Sequence, residues 1–494
     1  MDRIITKDIF FLDEKGRVRL FSGYNIDDKL LDQTEFRYNL DDEFFKKFKA
    51  NGFDIIRLAV TWQNLEPTMG KYNESYLKSI DKIFDLAEKY GVYILLDMHQ
   101  DLYSGFDGKS VGDGAPSWAA ITDGAKPKKP LFVWAEGYFW DKAVHKSFDH
   151  FWDNSPIAGK GVQDRFCDLW QMLADRYGDK AALLGYDLLN EPFPGSDTKR
   201  MFVCLIKGAA KEVFFGKEFN RLSFISSLLR LDIPKAFSNI SGKMMANIAR
   251  NVDAVAEKFD INKYSPFLNK TSSAIRDVSD KGIIMMEQSY IGNIGVKQSV
   301  PLITVNGKRE GQQCFGPHSY DIAVDTPLYK YASTDRVISF FSEMRNTQLR
   351  LNVPVIVGEW GGCSDNSDTS WFPHAYDLMA YFDSNQWSQV YWDYHGDDLD
   401  KPVMKLLRRT HPVAVAGKII RYGYDREKRT FTLEYESDGK NDTRIYVHNK
   451  FSMYKGESRD IKYRTVERYE NGASLISVKA GEGLRKIVIH IEEK

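Results

Sequence analysis

This chain predicts an α/β architecture, a (β/α)8 TIM barrel followed by a small C-terminal antiparallel β-sandwich, and three observations carry that prediction. Eight short runs rich in Val, Ile, Leu and Tyr recur at residues 20–25, 54–60, 92–98, 183–189, 282–287, 314–318, 354–358 and 389–393. Continuous apolar runs of this length suit strands buried on both faces, and eight of them alternating with helices suit a closed parallel sheet. Between them lie stretches of helical periodicity, such as 74–89, where Tyr76, Leu77, Ile80, Ile83, Phe84 and Ala87 form one apolar stripe. After His411-Pro412 the texture changes to apolar–polar alternation at 418–424, 430–435, 442–448, 463–468, 474–478 and 485–491. Turns such as Asp438-Gly439 and Asn471-Gly472 separate these runs, which predicts the sandwich.

The expected division is therefore a catalytic barrel over 1–411 and a β-sandwich domain over 412–494. Two intervals are too long for a simple strand–helix unit. Residues 100–161, after the third strand, are rich in Gly and Trp, and 195–281, after the fourth, are mostly helical in pattern. In a barrel both belong to the C-terminal rim, where active sites form. The sandwich carries no catalytic constellation and reads as a packing or accessory module.

With 68 basic and 69 acidic side chains the formal net charge is −1, so no global field draws nucleic acid, which is excluded as a partner. Aromatic residues make up 14% of the chain, enough to supply sugar-stacking platforms as well as core. Cys167, Cys204, Cys314 and Cys363 are widely spaced, show no metal-ligand pattern and read as free thiols. Residues 1–8 contain no apolar segment of signal-peptide length, and nowhere do 18 apolar residues run together. The expectation is a monomer, either cytoplasmic or secreted with its leader trimmed, the two being undecided.

The chemistry concentrates at the strand ends. Glu191 lies in Leu188-Leu189-Asn190-Glu191-Pro192, and Glu359 in Val355-Ile356-Val357-Gly358-Glu359-Trp360. Two carboxyl groups on the rim of one sheet are what retaining glycoside hydrolysis needs, one as protonated acid and one as ionised nucleophile, held apart in state by different surroundings. Other rim positions hold Arg57, His99 and Asp101, Asn190, Gln288 in Glu287-Gln288, His318 and Tyr320 in Pro317-His318-Ser319-Tyr320, and Trp392. Singly, each has a commonplace explanation: a carboxylate at a helix N-terminus, a structural histidine, a buried ion pair. Their joint placement on rim positions favours function. A His/Asp/Glu metal site is disfavoured because His99 and His318 lack a ligand at helical i, i+4 spacing, and no metal or organic cofactor is expected.

The ordered set Arg57, His99, Asn190-Glu191-Pro192, His318 with Tyr320, Gly358-Glu359-Trp360 and Trp392 resembles the clan of retaining β-glycosidases that includes glycoside hydrolase family 5. Within it, three further features resemble endoglycoceramidases and their relatives. They are Leu95-Leu96-Asp97-Met98-His99-Gln100-Asp101 with its Trp-rich loop, Phe148-Asp149-His150-Phe151-Trp152, and Pro412-Val413-Ala414-Val415-Ala416-Gly417. The resemblance implies that Glu191 is the acid/base and Glu359 the nucleophile, with Arg57 and Tyr320 donating to Glu359. It implies Asn190 for the sugar 2-hydroxyl, His99, Asp101, His318 and Gln288 for other hydroxyls, and Trp392 for the floor under the ring.

The implied substrate is a glycolipid or oligosaccharide. Residues 200–231 interleave Phe202, Leu205, Phe214, Phe215 and Leu222 with Lys207, Lys211, Lys217 and Arg221, a pattern suited to admitting lipid tails and to peripheral contact with a membrane or micelle surface. The principal expectation is an endo-acting hydrolase of the bond between glycan and ceramide. The alternatives are a β-glucosidase on glucosylceramide or a steryl glucoside, a family 5 endoglucanase, and a non-catalytic glycolipid-binding protein.

Overall fold

The computed structural model describes residues 1–131, 133–217, 219–230, 232–326, 328–362, 365–453 and 461–492. Eight parallel strands close a barrel: Ser22–Asp27, Ile55–Thr61, Tyr93–His99, Leu183–Asp187, Ile283–Glu287, Gln313–Gly316, Ile356–Val357 and Ser388–Tyr391. Each pairs with the next, the eighth pairs with the first, and a bridge between Phe315 and Val355 joins the sixth to the seventh. The close approach of the first two strands requires Gly23, where a Cβ would stand 1.7 Å from the Ile55 carbonyl oxygen.

Alternation along these strands decides what the barrel holds. Ile55, Leu95, Leu184, Ile283, Met285, Cys314, Ile356 and Val390 cluster in the lower interior, with Phe21 and the N-terminal Ile4 and Phe11 packed against them. Two residues further along, the same inward parity delivers Arg57, Asp97 and Glu287, all fully buried. The apolar floor thus becomes a charged layer at the C-terminal end. Outward positions such as Ile56, Leu96, Ile284 and Met286 bury against the helices. The expected helix is observed at Glu74–Tyr90, capped by the Asn73 side chain on Tyr76 N–H and ended by a left-handed Gly91, with the predicted stripe buried.

The interval 100–161 contributes helices Glu136–Trp140 and Lys142–Trp152, and 195–281 contributes a helical rim beginning with Thr198–Phe215 and Arg221–Leu229. Among the described residues no helix is long and apolar enough to cross a membrane. Cys167, Cys204 and Cys314 are free, while Cys363 lies outside the described residues.

The C-terminal region forms two antiparallel sheets around a core that includes Val415, Phe431, Leu433, Ile445, Ile476, Ile487 and Ile489. Its larger sheet also takes in strands from the N-terminal segment. Strands Ile5–Lys7, Phe10–Leu12 and Val18–Arg19 join it, Val18 pairing with Val415. Without them His411–Val415 would present an open edge, and the N-terminal segment supplies the missing ladder partner. That strand escapes sequence reading because Pro412 argues against a strand interior.

Candidate active site

The charged layer is organised by Arg57, whose guanidinium is completely buried. Its Nε donates to Asp187 at 2.7 Å, its Nη1 to Glu359 Oε1 at 2.9 Å and to Asn25 at 3.0 Å, and its Nη2 to Glu287 at 2.9 Å and Asn190 Oδ1 at 3.0 Å. Burial opposes the charge of Arg57, and Asp97, Asp187, Glu287 and Glu359 together outweigh it, holding the group well above its usual range. Glu359 also accepts the Tyr320 hydroxyl on Oε2 at 2.8 Å. Burial, then the Glu359 charge, raises the Tyr320 phenol well above its normal range, so it remains a donor.

Glu191 has different surroundings. It follows the fourth strand with φ of +43°, a left-handed conformation that costs a non-glycine residue roughly 1–2 kcal/mol and is held here by bonds to its peptide. Glu287 Oε2 accepts the Glu191 N–H at 2.7 Å, and Gln100 Nε2 donates to the Asn190 and Glu191 carbonyls at 2.9 and 3.3 Å. The Glu191 carboxyl Oε1 takes a 2.5 Å bond from Asn293 Nδ2 and lies 3.3 Å from His318 Nδ1. Burial pushes this carboxyl up to about 7, the Asp101 charge adding to the effect and the Asn293 bond opposing it. Burial also pushes His318 down to about 3, so the imidazole between the two glutamates is neutral.

One oxygen of Glu191, one of Glu359 and a His318 ring nitrogen all lie within 4.8 Å of one another. Carboxyl groups ~5–5.5 Å apart serve double displacement at a sugar, whereas inversion needs room for a water and roughly 6.5–9.5 Å. His99, Asp101 and Asp113 form a second set with that spacing, and Asp97, Asp187 and Glu287 a third. These sets have the atoms to hold a cation, but the third already encloses Arg57 and the second already binds Lys29.

A cavity of about 400 Å³ opens over the two glutamates. Beside Glu191 and Glu359 it is lined by Lys29, His99, Asp101, Asn190, Tyr320 and Trp392. His99 stacks on Trp392 with ring centroids 5.3 Å apart and donates from Nδ1 to Asp97 at 2.7 Å. Burial and Lys29 oppose protonation of His99, yet Asp97 and Asp101 outweigh them and raise it to about 10. Lys29 binds Asp101 at 2.6 Å and sits 4.4 Å from the Trp392 ring centre. Val133, Phe139, Leu205, Ile291, Ile322 and Val324 add an apolar lining to the same cavity. A larger cleft of about 600 Å³ lies between helix Phe372–Ser384 and the C-terminal strands, away from these carboxyl groups.

The sequence-derived residues thus come together, with two exceptions in what they face. His318 and Gln288 were expected on substrate hydroxyls, but both are buried beneath the cavity. Gln288 Nε2 donates to Asn293 Oδ1 and to the His318 carbonyl, both at 2.7 Å, so it supports the residue that bonds Glu191. Arg57 likewise lies behind Glu359. Asp97 and Glu287 were readable from inward parity, two positions from the interior residues Leu95 and Met285. Lys29 stands in a loop and Asn293 in the short 3-10 helix Tyr290–Ile294, where no periodicity points to them.

The architecture and the paired carboxyl groups define a barrel enzyme of the glycoside hydrolase type. The chain belongs to glycoside hydrolase family 5: the model described as Cellulase (glycosyl hydrolase family 5) matches residues 21–398, and that described as Glycoside hydrolase family 5 C-terminal domain matches 409–490. A curated relative, an endoglycoceramidase of Cyanea nozakii, is 33% identical over 227 residues, 41% of this chain and 43% of that protein. A glucosylceramidase of Rhizopus delemar is 29% identical over 183 residues, 31% of this chain and 26% of its own. The match thus spans less than half the length of either relative. In fold, the chain is similar to endo-glycoceramidase II from Rhodococcus sp., solved as its lactosyl-enzyme intermediate. The TM-score is 0.72 at 20% identity, over 99% of this chain and 100% of the other.

Proposed function

We propose that the protein is a retaining endo-β-glycosidase that hydrolyses the bond between the glycan and the ceramide of glycosphingolipids. The observation that carries this reading is one cavity that holds the two carboxyl groups and is lined both by polar side chains and by a set of apolar ones. Glu359 attacks the anomeric carbon while Glu191 gives its proton to the departing ceramide oxygen, so the C–O bond breaks as a glycosyl ester forms. Glu191, now a carboxylate, takes a proton from water, whose oxygen displaces Glu359 and returns the sugar with retained configuration. Asn190 and Tyr320 face the reacting ring, Trp392 and His99 floor it, and Lys29 with Asp101 offers charged partners to its hydroxyls.

The lactosyl-enzyme form of the Rhodococcus protein and the Cyanea relative support this reading. A β-glucosidase acting on glucosylceramide or a steryl glucoside is the second reading, supported by the Rhizopus relative. The rim helices expose Ile206, Phe214, Phe215, Leu222, Ile225 and Leu229, while Leu205 of the same segment lines the cavity. These exposed apolar side chains would rest on a lipid surface near the cavity and deliver the tail. A panel of glycosphingolipids analysed for free ceramide and intact glycan tests the assignment. Release of both from lactosyl or longer series supports the first reading, and cleavage confined to monoglucosyl lipids, with glucose as the freed sugar, supports the second. Activity on cellulose with none on glycolipid would refute both.

A further inference from the structure

Glu287 closes the fifth barrel strand and is buried beneath the cavity. Its Oε2 accepts the N–H of Glu191, the residue with the left-handed backbone. Its Oε1 accepts from Arg57 Nη2, and the neighbouring Nη1 of the same guanidinium donates to Glu359. That Oε1 also stands 3.3 Å from His318 Nε2, and the other ring nitrogen, Nδ1, lies 3.3 Å from Glu191 and 3.7 Å from Glu359. All three routes from this one carboxyl group end on Glu191 or Glu359. The strand end is itself fixed, because Tyr264 Oη and Gln298 Nε2 both donate to the Glu287 carbonyl, at 3.2 and 2.8 Å.

Charge around Arg57 gives the same residue a second task. Four carboxyl groups, Asp97, Asp187, Glu287 and Glu359, surround a single guanidinium. Burial raises Glu287 well above the usual carboxylate range and Asp187 to about 6. Carboxyl groups drawn this close compete for one guanidinium, so the bond from Glu287 to Arg57 helps decide how that charge is shared with Glu359.

We propose that Glu287 is a positioning residue that sets Glu191 and Glu359 in register with each other through the Glu191 peptide, Arg57 and His318. The proposal rests on reading Glu191 as the acid/base and Glu359 as the nucleophile. It assigns Glu287 no contact with substrate.

Glu287→Gln tests it, because the amide has the same size but one acceptor oxygen where two N–H donors now bond. One of those donors is left against an NH2 group. On a β-linked alkyl glycolipid, kcat is expected to fall about 10- to 100-fold, with KM within about threefold and the basic limb of the pH–rate profile displaced. Glu287→Asp keeps both oxygens one methylene short and is expected to recover part of kcat, and it also serves if the glutamine variant fails to fold. Circular dichroism and thermal unfolding establish folding in each case. Wild-type kcat with an unmoved pH profile in a folded variant, or a change in KM alone, would overturn the proposal. Glu191→Gln separates the two claims. Turnover retained in that variant defeats the underlying reading, whereas its inactivity beside fully active Glu287 variants defeats the positioning role only.

Discussion

Removing the Asn293 amide should move the upper pH limit of activity to higher pH. Asn293 Nδ2 donates to Glu191 Oε1 at 2.5 Å, and this bond favours the ionised carboxylate against the burial that pushes the group up to about 7. A hydrogen bond to a charged group contributes about 1.5–3 kcal/mol, and about 1.4 kcal/mol corresponds to one pH unit. Water entering from the cavity replaces part of that bond, so Asn293→Ala should raise the basic limb of kcat/KM by about one pH unit. The sign follows from the role: the reaction needs Glu191 protonated, and loss of a bond to its ionised form lets the acid persist to higher pH. The assay is kcat/KM against pH on a β-linked glycoside with a poor leaving group, with thermal unfolding as the control for the Gln288 bond also lost. A folded, active variant whose basic limb stays in place or moves down would refute Glu191 as the titrating acid.

Leu205→Asp puts a charge into the apolar wall of the cavity, and kcat/KM should fall at least about tenfold on a glycolipid while an aryl glycoside is turned over within about twofold, as paired steady-state assays would reveal. The double change Phe214→Ser with Phe215→Ser removes two side chains that are 70% and 81% exposed. Sedimentation with phosphatidylcholine vesicles should drop severalfold while hydrolysis of a soluble aryl glycoside is unaffected.

Much of this architecture was legible because two periodicities carry it. Strands buried on both faces leave continuous apolar runs, and Glu191, Tyr320 and Glu359 fall just beyond the ends of such runs. The pairing of Arg57 with Glu359 came from the family resemblance, and inward parity along the second strand accounts for its place one layer below the rim. The same parity marks Asp97 and Glu287, although a buried acidic layer resembles ordinary rim polarity until the third dimension brings it around one guanidinium. Gln288 and His318 illustrate the limit: their positions were right, but a side chain at a strand end can face the cavity or the space beneath it, and local bonds decide. Lys29 depends on loop geometry, and Asn293 on a single 3-10 turn after the fifth strand. The pairing of Val18 and Arg19 with Val415 and Ala414 joins segments some four hundred residues apart, a relation that no local pattern encodes.

The central claim is that Glu359 forms a covalent bond to the sugar while Glu191 supplies and recovers the proton. It is tested most directly by incubating the protein with a 2-deoxy-2-fluoro β-glycoside bearing a good leaving group, then measuring intact mass and mapping the labelled peptide. The account predicts one added glycosyl unit per chain, on the peptide that contains Glu359, and none in Glu359→Gln. An adduct on Glu191, or turnover of the glycoside by folded Glu359→Gln at the wild-type rate, would contradict it.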